Sequence, residues 1–143
     1  MSADRVIDNP ESFFNEALWQ LRTLRCPGCG RSDVTLARAG VAARAHHVVY
    51  EQEVRRRGGA LHDTRNAMGV CDPCHARHHD GTPWRLALSA LTAEHHAFAA
   101  ELLGDSAGDY LARRYGSSTG GGTTYGMASI CAGVTVPRST SSA

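Results

Sequence analysis

The stretch NAMGVCDPCHARHHD, residues 66–80, contains the motif that decides how the rest of the chain is interpreted. It holds a C-x2-C pair, Cys71 and Cys74, followed at once by three histidines. A second C-x2-C pair, Cys26 and Cys29, precedes it by 41 residues. Two such pairs supply the four thiolates of a closed tetrahedral zinc site. The sequence therefore predicts one structural Zn²⁺ that joins the two pairs, while the fifth cysteine, Cys131, is expected to be a bystander.

The histidines around these cysteines have the spacing of a second, open site. His75 and His79 are four residues apart, so on a helix they face the same way. Upstream, the stretch ARAHHVVY places His46 and His47 side by side in a predicted strand. Adjacent strand residues point to opposite faces, so the two imidazoles are expected to do different work.

Positive charge is concentrated where the cysteines and histidines lie. Residues 22–85 contain eleven arginines and six acidic residues, whereas the whole chain has a formal net charge of only +1. This surplus suits an anionic partner such as a phosphate backbone, although an ordinary solvated face would produce the same pattern. All of the basic residues are arginine, which also suits the codon usage of a GC-rich genome.

Local signals predict a mixed α+β chain. Asn9-Pro10 is a good start for a helix, which continues with Phe14, Leu18, Leu21 and Leu24 at helical spacing. Residues 33–37 and 41–49 are predicted to be two strands of a hairpin that turns at Arg38-Ala39-Gly40. A polar loop is expected from there to about residue 65, and a helix after Cys74. Two further helices are predicted, AEHHAFAAELL behind Thr92 and DYLARRY before Gly116.

Five elements in order resemble the HNH endonucleases, a family with the ββα-metal (His-Me finger) fold. The elements are Cys26-x2-Cys29, Ala45-His46-His47-Val48, Gly58-Gly59, Asn66 and Cys71-x2-Cys74-His75-x3-His79. They cover residues 26–79, and the small, arginine-rich chain is further similar to free-standing HNH proteins of actinobacterial phages. The resemblance implies an α+β fold with a ββα-metal core, a structural zinc site of four cysteines and flanking helices.

The resemblance also implies a role for each histidine of the motif. His47 looks like the general base that takes a proton from the attacking water, a task for which an imidazole is suited near neutral pH. His46 and His75 look like ligands of a catalytic divalent metal, and His79 like a third ligand or a phosphate contact. Asn66 looks like the residue that hydrogen-bonds across the loop and fixes the orientation of His47.

Three consecutive arginines, Arg55, Arg56 and Arg57, would then contact phosphates beside the scissile group. A solvated loop is the alternative interpretation of this triplet.

Four segments follow from these patterns. They are an N-terminal helix (1–25), an HNH nuclease core with the zinc-binding cysteines (26–82), C-terminal helices (83–115) and a disordered tail rich in Ser, Thr and Gly (116–143). The sequence has neither an apolar run of membrane-spanning length nor a signal-peptide layout, so a cytoplasmic protein is expected.

The resemblance implies a metal-dependent endonuclease that hydrolyses DNA phosphodiester bonds, by nicking or by double-strand cleavage, and leaves 3′-hydroxyl and 5′-phosphate ends. The catalytic ion is expected to be Mg²⁺, Mn²⁺, Ni²⁺ or Zn²⁺. Double-stranded DNA is the expected partner, together with a phage terminase or packaging protein. Two alternatives stay open: a non-catalytic, zinc-stabilised nucleic-acid-binding or adaptor module, and an RNA-directed or toxin-like nuclease.

Overall fold

The computed structural model of the chain describes residues 7–80 and 83–116. Within these ranges the chain is α+β, with six α-helices around one two-stranded antiparallel sheet. The elements are, in order, α1 (Pro10–Thr23), α2 (Asp33–Arg38), β1 (Ala43–His47), α3 (Glu51–Arg57), β2 (Ala67–Cys71), α4 (Asp72–His79), α5 (Ala93–Leu103) and α6 (Ala107–Arg114). Apart from Gly116, the predicted disordered tail lies outside the described residues.

Helix α1 begins where the sequence predicts but buries a different face. The Asn9 side-chain oxygen accepts hydrogen bonds from the backbone N–H groups of Glu11 (2.9 Å) and Ser12 (3.0 Å), which caps the first turn. The buried residues are Phe13, Ala17, Gln20 and Leu21. Phe14 and Leu24, which the apolar spacing assigns to the core, are instead 42% and 57% exposed. The polar Gln20 is buried in their place because it has backbone partners in the sheet.

The predicted hairpin over residues 33–49 is wrong. Residues 33–38 form helix α2, whose first turn is capped by the Ser32 hydroxyl, which accepts from the Thr35 N–H. This cap outweighs the strand preference of the β-branched residues in the segment. Gly40, at φ 71°, ends the helix instead of joining two strands. The true partner of β1 is β2, in the register Ala43↔Cys71 to His47↔Ala67.

The connection from β1 to β2 contains helix α3, where the sequence predicts only a polar loop. Glu51 and Glu53 lie in its first turn and the arginine triplet in its last, which suits the helix dipole at both ends. Gly58 then terminates it in the left-handed conformation, at φ 71°.

Strand β2 is buried at every position and is covered by α1. A Cβ on Gly69 would overlap the carbonyl oxygen of Ala17, so only glycine allows the helix to lie this close. The Gln20 side chain bonds the outer edge of β2, donating to the Ala67 carbonyl (2.8 Å) and accepting from the Gly69 N–H (3.2 Å). The edge of a buried strand is thereby satisfied without a third strand.

Helix α5 is attached to the same strand by a buried histidine. Nδ1 of His95 accepts from the Thr92 N–H (2.9 Å), so the ring proton is on Nε2, which donates to the Ala67 carbonyl (2.7 Å). The Thr92 hydroxyl in turn accepts from the His95 N–H, which completes a capping box. None of the helices in the described ranges has the length and apolar character needed to cross a membrane.

Replacing Gly69 by alanine tests the α1–β2 contact. We expect Gly69→Ala to lower the free energy of unfolding by at least about 2 kcal/mol, because the added methyl must push α1 off the sheet. Gly108→Ala is the matched control, since a Cβ there meets no atom within 4 Å on the α6 surface. It is expected to be neutral or stabilising by less than about 1 kcal/mol. Chemical denaturation measures both, and equal effects of the two substitutions would contradict the close approach.

The burial of His95 predicts acid sensitivity. Burial lowers the pKa of His95 from its ordinary value of 6.5, so below pH 6.5 the unfolded chain binds a proton that the folded chain does not. Stability is therefore lost as the pH falls, by up to about 1.4 kcal/mol per pH unit for this one group. Denaturation curves from about pH 7.5 down to about pH 5.5 should show a shallower loss in His95→Gln than in wild type. The exposed neighbour provides the control: His96→Gln should keep the wild-type slope.

Candidate active site and metal centre

The two C-x2-C pairs meet at one point, where α1, β2 and α4 come together. The sulfur atoms of Cys26, Cys29, Cys71 and Cys74 all lie within 4.8 Å of one another, and Cys29 Sγ is 3.8 Å from Cys71 Sγ. Four sulfurs at a Zn–S distance of about 2.3 Å around a tetrahedral ion stand about 3.8 Å apart. The cluster therefore has the donor set and the spacing to hold zinc, and none of the four is in a disulfide.

The backbone around the cluster is arranged for thiolates. The Cys71 N–H donates to Cys26 Sγ (3.4 Å) and the Arg31 guanidinium to Cys29 Sγ (3.4 Å), and both contacts favour a charged sulfur. A Cβ on Gly28 would lie 2.5 Å from Cys74 Sγ, so the turn between the first two cysteines must be glycine for the sulfurs to converge. An ion held by all four cysteines would have no open position, which is the coordination typical of structural zinc sites.

A pocket of about 510 Å³ opens beside this cluster, between β1, α3 and α4. Its lining includes His46, His47, His75 and His79. The ring centroids of His46, His75 and His79 lie 4.7 to 5.2 Å from one another. The structure thus brings together the three histidines that the sequence assigns to a second metal. His46 lies on β1, and His75 and His79 lie on α4, the helix that also carries Cys74.

These imidazoles are neutral at physiological pH. Burial lowers the pKa of His46 well below its ordinary value and that of His75 to about 4, and it lowers the pKa of His79 as well. A neutral imidazole has a lone pair on one ring nitrogen, which is the state that binds a metal. Within the described residues, neither His75 nor His79 uses a ring nitrogen in a hydrogen bond. Their lone pairs are therefore available, and imidazole nitrogens are suitable donors for a divalent transition-metal ion. The ring nitrogens that lie within 4.8 Å of one another are those of His46, His78 and His79, and His75 adjoins this group at the centroid distances given above.

His78 has the right distance for a ligand but the wrong protonation. One of its ring nitrogens lies within 4.8 Å of ring nitrogens of His46 and His79. However, Nδ1 accepts from the Leu86 N–H (3.0 Å), so the proton is on Nε2, which donates to the Tyr50 hydroxyl (2.6 Å). No lone pair is left for an ion, and His78 acts as a packing and hydrogen-bonding residue.

His47 points away from His46, as strand alternation requires, and its ring is tightly positioned. It stacks on the buried Phe13 at a centroid distance of 4.4 Å. Nε2 lies 3.1 Å from the Leu61 carbonyl oxygen, which can only accept, so Nε2 carries the proton and Nδ1 has the lone pair. Burial lowers the pKa of His47, which keeps Nδ1 unprotonated at neutral pH.

Asn66 acts on the backbone beyond β1 and not on the His47 ring. Its amide makes two hydrogen bonds to one residue, accepting from the Val49 N–H (2.8 Å) and donating to the Val49 carbonyl (3.0 Å). Asn66 is fully buried, and its two bonds fix the backbone at Val49, two residues after His47. The direct partner of the ring is Leu61, whose loop is attached to the N-terminal segment by a bond from the His62 N–H to Asp8 (3.0 Å).

The arginine triplet lies on α3 and not in a loop. Each of the three guanidinium groups is paired with a glutamate of the same helix: Arg55 with Glu51 (2.9 Å), Arg56 with Glu53 (2.6 Å) and Arg57 with Glu53 (2.9 Å). Such exposed pairs contribute little to stability.

Two arginines that the sequence does not single out also lie at the pocket. Arg44 lines it and pairs with Asp72 (2.7 Å). The Arg114 guanidinium lies 3.8 Å from the Tyr110 ring centroid and 5.7 Å from that of Tyr50, which is part of the pocket lining. Tertiary packing places Arg114, on α6, near this lining tyrosine, and the sequence offers no signal for that contact.

No protein-family model, curated protein or solved structure matches the chain.

Metal analysis tests the cysteine cluster. We expect about one tightly bound zinc per chain by elemental mass spectrometry, and a strong chelator should remove it with loss of the cooperative fold. Cys74→Ser should lower the zinc content to well below one and reduce the unfolding temperature. Cys131→Ser is the control, since that cysteine lies outside the described residues and belongs to neither pair. A full zinc content in Cys74→Ser would refute the four-cysteine site.

Proposed function

We propose that this chain is a metal-dependent HNH endonuclease that hydrolyses phosphodiester bonds of double-stranded DNA. The observation that carries the proposal is the arrangement at His47 and His46. A neutral imidazole with its proton tied to a backbone carbonyl lies beside three neutral imidazoles that share one pocket. The order of two antiparallel strands and a following helix, β1–β2–α4, with the fully buried Asn66 between them, supports the ββα-metal core that the sequence motif implies.

The catalytic base in this proposal is His47, acting through Nδ1. Nδ1 accepts a proton from the attacking water while Nε2–H stays bonded to the Leu61 carbonyl, and this carbonyl also stabilises the imidazolium that forms. Stacking on Phe13 prevents the ring from turning, so the base is oriented before the substrate arrives. Asn66 supports the base indirectly by holding the backbone at Val49.

His46, His75 and His79 would hold the divalent ion. When bound, such an ion stabilises negative charge on the phosphate and on the leaving 3′ oxygen. All three donors are neutral nitrogens, a set that favours Zn²⁺ or Ni²⁺ over Mg²⁺ and Mn²⁺, which prefer oxygen ligands. The carboxylate nearest to them in the pocket lining, Glu51, is paired with Arg55.

Arginines at the rim of the pocket supply the positive field that a nucleic-acid backbone needs. Arg44 and Arg55 lie on β1 and α3, and Arg114 approaches past Tyr50. Their present partners are exposed carboxylates and aromatic rings, which a phosphate can replace or join. The proposed contacts are to phosphates, so they predict little sequence preference.

A supercoiled-plasmid nicking assay tests the proposal. Purified, zinc-loaded chain is incubated with plasmid and Mg²⁺, Mn²⁺, Ni²⁺ or Zn²⁺ in parallel. We expect nicking with at least one of the nitrogen-preferring ions and a loss of roughly 10²- to 10⁴-fold in His47→Gln, which keeps a polar side chain but no base. The matched control is His96→Gln, an exposed histidine on α5 that should retain wild-type activity. Thermal unfolding of each variant confirms that the fold is intact.

Three results would contradict the proposal or its assignment of the base. DNA binding by the wild type without cleavage under any of the four ions would favour a non-catalytic, zinc-stabilised nucleic-acid-binding module. Cleavage of a structured RNA in the same assay, with the plasmid left intact, would assign the chemistry to RNA. Full activity of His47→Gln would show that another group is the base.

A further inference from the structure

The hydroxyl of Tyr115, at the end of α6, reaches the buried face of β1. Its oxygen lies 2.8 Å from His46 Nε2 and 2.6 Å from the carbonyl oxygen of Val48. Tyr115 and His46 are 4% and 1% exposed, so no solvent competes for these bonds. A residue 69 positions away in the sequence is thus the hydrogen-bond partner of the histidine that we assign to the divalent ion.

The direction of each hydrogen bond follows from the chemistry of the three groups. A carbonyl oxygen only accepts, so the single proton of the Tyr115 hydroxyl goes to Val48. The same oxygen must then accept from His46, which places a proton on Nε2. A histidine that ligates a metal is neutral and carries one ring proton. The lone pair of His46 is therefore on Nδ1.

We propose that Tyr115 is a positioning residue that fixes His46 as the Nε2–H tautomer, so that Nδ1 is the atom presented to the divalent ion. The inference rests on the proposed metal site formed with His75 and His79. A ligating histidine is oriented by the partner of its other ring nitrogen, and loss of that partner weakens metal binding. Through Tyr115, which directly follows it, helix α6 would contribute to the site, although the proposed ligands lie on β1 and α4.

Tyr115 is well placed for this role because the chain holds it from both sides. Its own N–H donates to the Leu111 carbonyl (3.0 Å) at the end of α6. The next residue, Gly116, donates to the Leu86 carbonyl (2.8 Å) and accepts from the Leu88 N–H (2.8 Å). The hydroxyl is therefore fixed in position before any ion binds.

The neighbouring His78 has the same tautomer but is not available as a ligand. Its ring stacks on Tyr115 at a centroid distance of 5.0 Å, and backbone bonding leaves it with no lone pair. His46 and His78 both donate an Nε2 proton to a tyrosine hydroxyl. They differ at Nδ1, which accepts from the Leu86 N–H in His78 and has no hydrogen-bond partner among the described residues in His46. Without the Tyr115 hydroxyl, the His46 proton is free to move to Nδ1, where it would block the ligand atom.

The test uses zinc-loaded full-length chain with ¹⁵N-labelled histidine. Long-range proton–nitrogen spectra identify the His46 tautomer before a second metal is added, and calorimetric titration with Ni²⁺ then measures affinity. In wild type we expect the Nε2–H form. In Tyr115→Phe we expect a mixture of tautomers and a loss in Ni²⁺ affinity of roughly 10- to 100-fold. Tyr110→Phe is the control, because its hydroxyl accepts from the Tyr50 N–H (2.9 Å) and touches no histidine.

Each outcome decides the question. A wild-type His46 with its proton on Nδ1 overturns the proposal, and this measurement needs no variant, so it holds even if Tyr115→Phe does not fold. Ni²⁺ affinity of Tyr115→Phe within about twofold of wild type also overturns it. A wild type that binds Ni²⁺ through His46 but cleaves no DNA refutes the nuclease and supports the positioning role. A wild type that cleaves DNA while His46 binds no metal refutes the positioning role alone.

Discussion

The burial of strand β2 is the constraint on which the rest of the structure depends. All five of its residues are buried, so each polar backbone group needs a partner inside the protein. Strand β1 pairs with one edge. At the other, the Gln20 side chain bonds Ala67 and Gly69, and Cys26 Sγ accepts from the Cys71 N–H. The Ala67 carbonyl accepts from both Gln20 and His95 and thereby joins α1 and α5 to one backbone atom. The helices are placed by these bonds and by the glycine at position 69.

The cysteine cluster and the histidine cluster are both positioned by the sheet and by helix α4. Strand β2 ends at Cys71, and α4 begins at once, so Cys74 and the neighbouring His75 lie on the same turn of helix. An ion held by the four cysteines would fix the start of α4 and, with it, the direction in which His75 and His79 project. A closed sulfur site and the proposed open nitrogen site would differ in ligand chemistry and so would select different ions, although the two are adjacent in sequence at Cys74 and His75.

Local signals predict much of the fold because they depend on near neighbours. The Asn9 and Thr92 caps mark two helices correctly, and the cysteine spacing predicts a cluster that the structure brings together. Long-range partners account for the failures. The sequence around Val34 and Thr35 is β-branched, yet Ser32 starts a helix there, and the partner of β1 is 19 residues further on. Gln20 is polar in sequence and buried in the fold because the sheet supplies its bonds.

The sequence predicts which residue types form the candidate site, but not which ring nitrogen of each histidine carries the proton. Spacing groups His75 with His79 and separates His46 from His47, but it does not say which ring nitrogen of each carries a proton. Backbone and tyrosine oxygens decide that: Leu61 takes the Nε2 proton of His47, and Tyr115 takes that of His46. Both rings therefore have their lone pair on Nδ1, on opposite faces of one strand. In the proposed hydrolysis, alternation of the strand would let one protonation pattern serve two functions, a base on one face and a metal ligand on the other.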